Sequence, residues 1–252
     1  MERPVLWEEL STKEISELLA SGRRMVIFPV GSIEQHANHL PVNVDILCAT
    51  EVAKAVSART GVPVLPPLAY GNSQGHVGWP GTLSLRPETL QRVVEEIGGW
   101  LHRSGVERVL ILNGHLTNPQ PLSGAIGNLM MAHPGMRFRI MSWWDASADT
   151  TALVLADTEN GGFHANDAET SMLLHLRPDL VRMQEARDET AATKRTFFSY
   201  FLRYRTRSGA TGNPLLATRE KGEKLFSMVV ESIAAQVRQA QHEEPPFPQG
   251  VV

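Results

Sequence analysis

Residues 25–45 read "MVIFPVGSIEQHANHLPVNVD", and the change of character inside this stretch decides the fold. Met25 to Val30 is continuously apolar, the pattern of a parallel strand buried on both faces. The residues that follow place Glu34, His36, His39 and Asp45 within twelve positions, with Asn38 and Asn43 between them. Glu34 and His36 stand two apart, so extended backbone points both side chains the same way. Asp45 falls where a helix should begin. A carboxylate there either caps the helix by accepting amide hydrogen bonds or is free to join a site.

Outward from this stretch, "LWEELSTKEISELLASG" has helical spacing, with Leu10, Ile15, Leu18 and Leu19 on one side and Gly22 as a stop. After the polar loop come a helix in "ILCATEVAKAVSARTG", a short strand in "VPVLPPLAYG", a long helix opened by Pro87 and the strand "ERVLILNG". A helix from about Pro121 to Ala132, the strand "MRFRIMSWW" and a helix through "AETSMLLHL" follow. A last amphipathic helix is expected from about Arg219 to Gln241, and the tail "EEPPFPQGVV" is expected to be extended or frayed. This alternation predicts an α/β fold with three layers, a mostly parallel β-sheet carrying helices on both faces. One domain over residues 1–252 is expected, since single domains of this length are common and no internal repeat divides the chain.

Open parallel sheets bind ligands beyond the carboxyl ends of their strands. That rule gathers Glu34, His36, Asp45, Asn113, His115 and Asp145 on one rim, with Gly114 permitting the turn that aims His115 over it. Glutamate, aspartate and histidine together make a nitrogen–oxygen donor set suited to zinc, manganese or iron(II). Several converging carboxylates also need a cation, because unpaired buried anions are very unfavourable. A second cluster, "FHANDAETS", brings His164, Asp167 and Glu169 within six residues at the start of a helix. A cap at Asn166 or Asp167 and the helix dipole account for the acids, but not for the "GGFH" that precedes them. Trp143 and Trp144 end a strand on the same rim, where one of them can serve as a stacking wall.

Composition removes other classes. The net charge is -3 with no block of like charge, so nucleic acid is not an expected partner. Arg203, Arg205 and Arg207 are expected in solvent, contact with a substrate phosphate or carboxylate being the alternative. One cysteine, Cys48, excludes an intrachain disulfide framework, fits a reducing compartment and disfavours a thiolate-based structural zinc site. Cys48 itself reads as a buried small hydrophobe. The amino terminus lacks the apolar core of a signal peptide, and no segment is apolar enough to cross a bilayer. A cytoplasmic protein with no membrane partner is expected.

Five ordered segments resemble the creatininase (creatinine amidohydrolase) family. "PVGSIEQHANHLPVNVD" is similar to the family's P-x-G-S-x-E-Q-H-G-P-H-L-P-L-x-T-D with identical spacing from Pro29 through Asp45. "WPGTLSL", "NGHLTN", "HANDAETS" and "ATGNPLLATREKG" resemble the later signatures, with His76 at the histidine position before the second.

The resemblance implies a dinuclear hydrolase holding two divalent ions per subunit (zinc, manganese or iron), acting through a metal-bound hydroxide on a carbon–nitrogen bond other than an ordinary peptide bond. By position, Glu34, His115 and Asp45 would hold one ion, Asp45 would bridge, and His36 would help hold the second. Thr117 occupies the place of a ligand glutamate, so Glu169 is the implied substitute, with a catalytic part as well. His164 matches the histidine that moves protons for the substrate nitrogen. His76, Trp144 and Thr117 are the expected substrate contacts, and His39 and His76 are expected to orient ligands.

Cyclic amides and formamides are the expected small-molecule substrates. The family's peptidase and cyclic keto-sugar hydrolase are the alternatives, beside a non-catalytic metal-binding scaffold. A homo-oligomer, hexameric as in creatininase, is also implied. Ala37, Asn38, Gly75, Leu116, Thr117 and Asn213 depart from the family signatures, and these departures bear on the substrate more than on the metal chemistry.

Overall fold

The computed structural model describes residues 3–158 and 163–247. The expected Gly161–Gly162 loop and the last residues of the tail therefore lie outside the described residues. Three strands form a parallel sheet in the order β1-β2-β3: β1 is Met25–Val30, β2 is Arg108–Asn113 and β3 is Arg137–Ser142. The register aligns Val30, Asn113 and Ser142, so all three carboxyl ends share one rim.

Alternation along the strands feeds two cores. Met25 and Ile27 of β1, Leu110 and Leu112 of β2 and Met141 of β3 pack with α2 (Val44–Thr60), α6 (Asp167–Leu176) and α7 (Arg219–Ala240). Val26, Phe28 and Val30, with Val109 and Ile111, pack instead with α1 (Thr12–Ala20), α3 (Pro87–Ser104) and α4 (Pro119–Ala132). The three-layer α/β fold follows from that split, because each strand side chain must be covered by a helix on its own face. Gly222 of α7 sits so close to α6 that a Cβ there would collide with the Ser171 carbonyl.

Three elements differ from expectation. "VPVLPPLAYG" is not a strand: Val64 makes isolated parallel bridges to Leu6 and Ile27, and Leu68 one to Val30. Pro63, Pro66 and Pro67 have no amide hydrogen to continue a ladder. The first expected helix is split into a 3-10 turn over Trp7–Glu9 and α1, whose N-cap Ser11 forms a capping box with Glu14. A short helix, α5 (Ala148–Val154), begins at Ser147 in a stretch where no helix is expected.

Candidate metal centre

Glu34, His36, Asp45, His115 and Glu169 meet at the strand rim, each 3% exposed or less. Asp45 lies in the first turn of α2 but does not cap it. The N-cap is Asn43, and the Asp45 carboxylate turns inward to accept from the Ser32 hydroxyl at 2.8 Å. His115 is held against it by close backbone approach: a Cβ on Gly114 would strike the Asp45 carbonyl, so only glycine lets β2 end there.

Two groups of donors converge: Glu34, Asp45 and His115 in one, His36, Asp45 and Glu169 in the other, the ligand atoms of each lying within 4.8 Å of one another. Asp45 belongs to both. Its Oδ2 is 2.9 Å from His115 Nδ1 and its Oδ1 is 3.2 Å from His36 Nε2. His115 Nδ1 also lies 3.1 Å from Glu34 Oε2, and His36 Nε2 lies 3.8 Å from Glu169 Oε1. Glu34, His36 and His164 form a third, overlapping group.

The remaining atoms of the ligand side chains are pinned. His115 Nε2 sits 3.0 Å from the Asn72 carbonyl and 2.7 Å from the Thr117 hydroxyl, which itself donates to the Asn72 carbonyl at 2.5 Å. His36 Nδ1 is 3.2 Å from the Glu34 carbonyl. Glu169 Oε2 accepts from the Ala165 amide at 2.5 Å. Each imidazole is thus anchored through one nitrogen and presents the other to the centre, as metal-binding histidines do.

The electrostatics suit a cation. Burial opposes ionisation of Glu34, yet the neighbouring His115 holds its carboxyl at about 2. Burial likewise disfavours the charged form of His115, and Glu34 and Asp45 override it, raising the imidazole to about 10. His36 is raised in the same way by Asp45 and Glu169 against its burial, while burial pushes the Glu169 carboxyl up. Among the described residues, Glu34 Oε2 and His36 Nε2 lie close to His115 and Asp45 but form no well-aligned hydrogen bond. Buried polar atoms are rarely left so. The residues fit one or more divalent ions: hard oxygen and imidazole nitrogen donors, buried, unsatisfied and already oriented.

Around the donors lies a cavity of about 110 Å³. Trp144 and Phe163 line it with their rings edge-to-face at 5.1 Å, while Trp143 is packed into the core. His76 and Thr117 line it too, and His76 Nε2 stands 3.4 Å from Glu34 Oε1. His39 lies outside the ligand set and bonds through Nε2 to the Thr170 hydroxyl at 2.9 Å. Cys48 is fully buried within the core on the α2 side, and burial, with Glu169 and Asp45 nearby, pushes its thiol well up.

Two expectations need correction. Asp145 does not reach the rim: the 3-10 turn Trp143–Asp145 sends Trp144 inward and leaves Asp145 exposed. Arg205 is not simply solvated, because it is half-buried and lines the cavity together with Leu202. Gln35 received no role from its sequence, yet it is the polar hub of the site. Its amide nitrogen contacts the Gly209 carbonyl at 3.0 Å and His76 Nδ1 at 3.1 Å, and its amide oxygen accepts from Ala37 N at 2.9 Å. The pairing of His164 with Thr211 through two backbone hydrogen bonds was equally silent in the sequence.

A buried oxygen-and-imidazole centre at the carboxyl ends of a parallel sheet defines a metal-dependent enzyme of α/β architecture. The family model for creatininase, creatinine amidohydrolase, matches residues 8–237. Creatinine amidohydrolase from Pseudomonas putida is 33% identical over 259 residues, covering 95% of this chain and 98% of that protein. A mycofactocin precursor peptide peptidase from Mycolicibacterium smegmatis is 32% identical over 232 residues, covering 86% and 85%. A solved structure of creatininase with manganese matches with a TM-score of 0.85 at 32% identity, covering 96% of this chain and all of that one. The chain belongs to the creatininase family and is a metal-dependent amidohydrolase of that family.

Proposed function

We propose that the protein hydrolyses a carbon–nitrogen bond in a small cyclic amide or formamide, using two divalent ions that share Asp45. The observation that carries this reading is the membership of Asp45 in two donor groups at once. Glu34, Asp45 and His115 would hold one ion and His36, Asp45 and Glu169 the other, with Glu169 supplying the carboxylate that Thr117 does not. When bound, such a pair lowers the pKa of water toward ~7 and polarises the substrate carbonyl.

The chain's own groups do the rest. The Gln35 amide nitrogen lies 3.0 Å from the Gly209 carbonyl, 3.1 Å from His76 Nδ1 and 3.0 Å from His164 Nε2. His164 Nε2 is also 2.6 Å from the Gln35 backbone carbonyl, which can only accept, so Nε2 is the donor in that contact. Its Nδ1 keeps a lone pair on the Glu34 side, at 3.5 Å from Oε1. Burial, with His36 and His76 nearby, holds His164 well below its ordinary pKa, so the ring rests neutral and, once protonated at Nδ1, is a strong acid toward the leaving nitrogen. Trp144 and Phe163 offer an apolar corner to a planar amide, and Leu116 and Thr117 limit its bulk.

Among the described residues no helix is long and apolar enough to cross a membrane. The same reading places the protein in the cytoplasm as a homo-oligomer, with the exposed Phe197, Phe198 and Phe201 available for subunit contact. Sedimentation of the loaded protein tests the assembly. The function is tested by metal analysis and a substrate panel of creatinine, other lactams, formamides and cyclic ureides. About two divalent ions per chain, with turnover abolished in His115→Ala, is the expected result; one ion or none, with no turnover after manganese or zinc addition, contradicts it.

A further inference from the structure

The cavity holds three carboxylates and, apart from its histidines, one cation. That cation is Arg205, which follows the 3-10 turn Leu202–Tyr204. It is half-buried, and one of its terminal nitrogens donates to the Ala192 carbonyl at 2.9 Å. Ala192 borders a second hollow, which Arg205 also lines, so this bond fixes the arm of the side chain between that hollow and the catalytic cavity. No other hydrogen bond and no ion pair engages the guanidinium among the described residues, although the chain's other arginine–carboxylate pairs, such as Arg24–Glu107 and Arg177–Asp179, are made on the surface. A guanidinium carries five N–H donors in a rigid fork suited to an oxyanion. The fork at Arg205 is mostly unspent.

The carboxylates in the same cavity cannot satisfy it. Glu34, Asp45 and Glu169 face histidines and, on the reading above, two divalent ions. With those ions bound, no surplus negative charge remains in the cavity for Arg205 to pair with. A neutral ligand would leave a partly desolvated guanidinium unmatched, which is unfavourable. An anionic ligand would remove that penalty and gain a forked contact.

Resting on the hydrolytic reading of the same site, we propose that Arg205 is a specificity-determining residue that recognises an anionic oxygen group, carboxylate or phosphate, on the substrate. The substrate class narrows accordingly to small amides with an acidic arm, short because the cavity is small. Creatinine, which has no such arm, is then a poor substrate.

The test uses three probes of matched length with the manganese-loaded full chain: N-formyl-β-alanine, the phosphate ester of N-formylethanolamine, and the neutral N-formyl-β-alaninamide. Their kcat/KM values and, by calorimetry, their dissociation constants are compared for wild type, Arg205→Gln and Arg205→Lys, after confirming equal metal content and circular dichroism. One of the anionic probes is expected to exceed the neutral one by about 10- to 100-fold, the scale of a hydrogen-bonded charge contact. Which anion wins separates carboxylate from phosphate recognition. The ratio should fall toward one in Arg205→Gln and be kept in part by Arg205→Lys. Equal values for all probes in wild type, or a ratio that survives Arg205→Gln, overturns the proposal. Turnover of none of them counts against the hydrolytic reading, while the ratio of dissociation constants still decides the role of Arg205.

Discussion

Asp45 is the residue on which the site turns, since each of its oxygens faces a different imidazole. Asp45→Asn keeps its size and removes its charge, and it is expected to empty both ion positions and lower kcat/KM by about 10³-fold or more, several kcal/mol of barrier. Inductively coupled plasma analysis of the purified variant, beside its kinetics, checks this. Glu169→Gln touches one donor group only and should leave about one ion per chain. A different residue prediction concerns backbone strain. Ala37 has φ 55 and stands where the family signature has glycine. An L-residue in the left-handed region costs about 1–2 kcal/mol, against about 0.5–1 kcal/mol for the extra freedom glycine loses on folding. Ala37→Gly is therefore expected to stabilise by about 0.5–1 kcal/mol in urea unfolding, with Ala37→Val destabilising. The ligand residues were legible because motif spacing and the strand-end rule both point to them. Arg205 and Asp145 were not, because the turns that aim their side chains have no periodicity to read. Gln35 lay in full view between Glu34 and His36, but its role depends on partners far along the chain, His76, His164 and Gly209.

At the level of elements, the site depends on how α6 begins. Asn166 caps it, accepting from Glu169 N at 3.1 Å, and its amide nitrogen donates to the Val154 carbonyl and to Asp157, each at 2.8 Å. Cap, α5 and ligand are thus one unit. Asn166→Ala should cost about 1–2 kcal/mol of stability through the lost cap. It should also weaken binding of one ion, the one Glu169 helps to hold, which titration of the metal-free protein with manganese would reveal as a lower second affinity. The sequence showed β1, β2, β3 and six of the helices, because continuous apolar runs and helical spacing report burial directly. It hid α5, whose seven residues are too few for a period, and it misjudged the stretch around Pro66, where apolar residues are extended but proline denies them a ladder.

Across the whole molecule, the two cores hold the rim rigid while the centre stores protons in place of ions. His36 and His115 are raised by the carboxylates beside them, so the metal-free protein carries both charged at neutral pH. Metal binding must expel those protons, hence apparent affinity should rise with pH, by a slope of about two protons between roughly pH 6 and 8. Isothermal titration in buffers of different ionisation enthalpy counts the release; affinity that falls as pH rises would have the opposite sign. The order of layers was legible from strand–helix alternation, whereas the meeting of residues 34, 45, 115 and 169 is a property of chain topology that no local window contains. The sharing of Asp45 is tested most directly by electron paramagnetic resonance of the protein loaded with manganese. A spectrum of two exchange-coupled Mn(II) ions, reduced to an isolated Mn(II) signal in Glu169→Gln, is predicted. An isolated, uncoupled signal from the fully loaded wild type would contradict it.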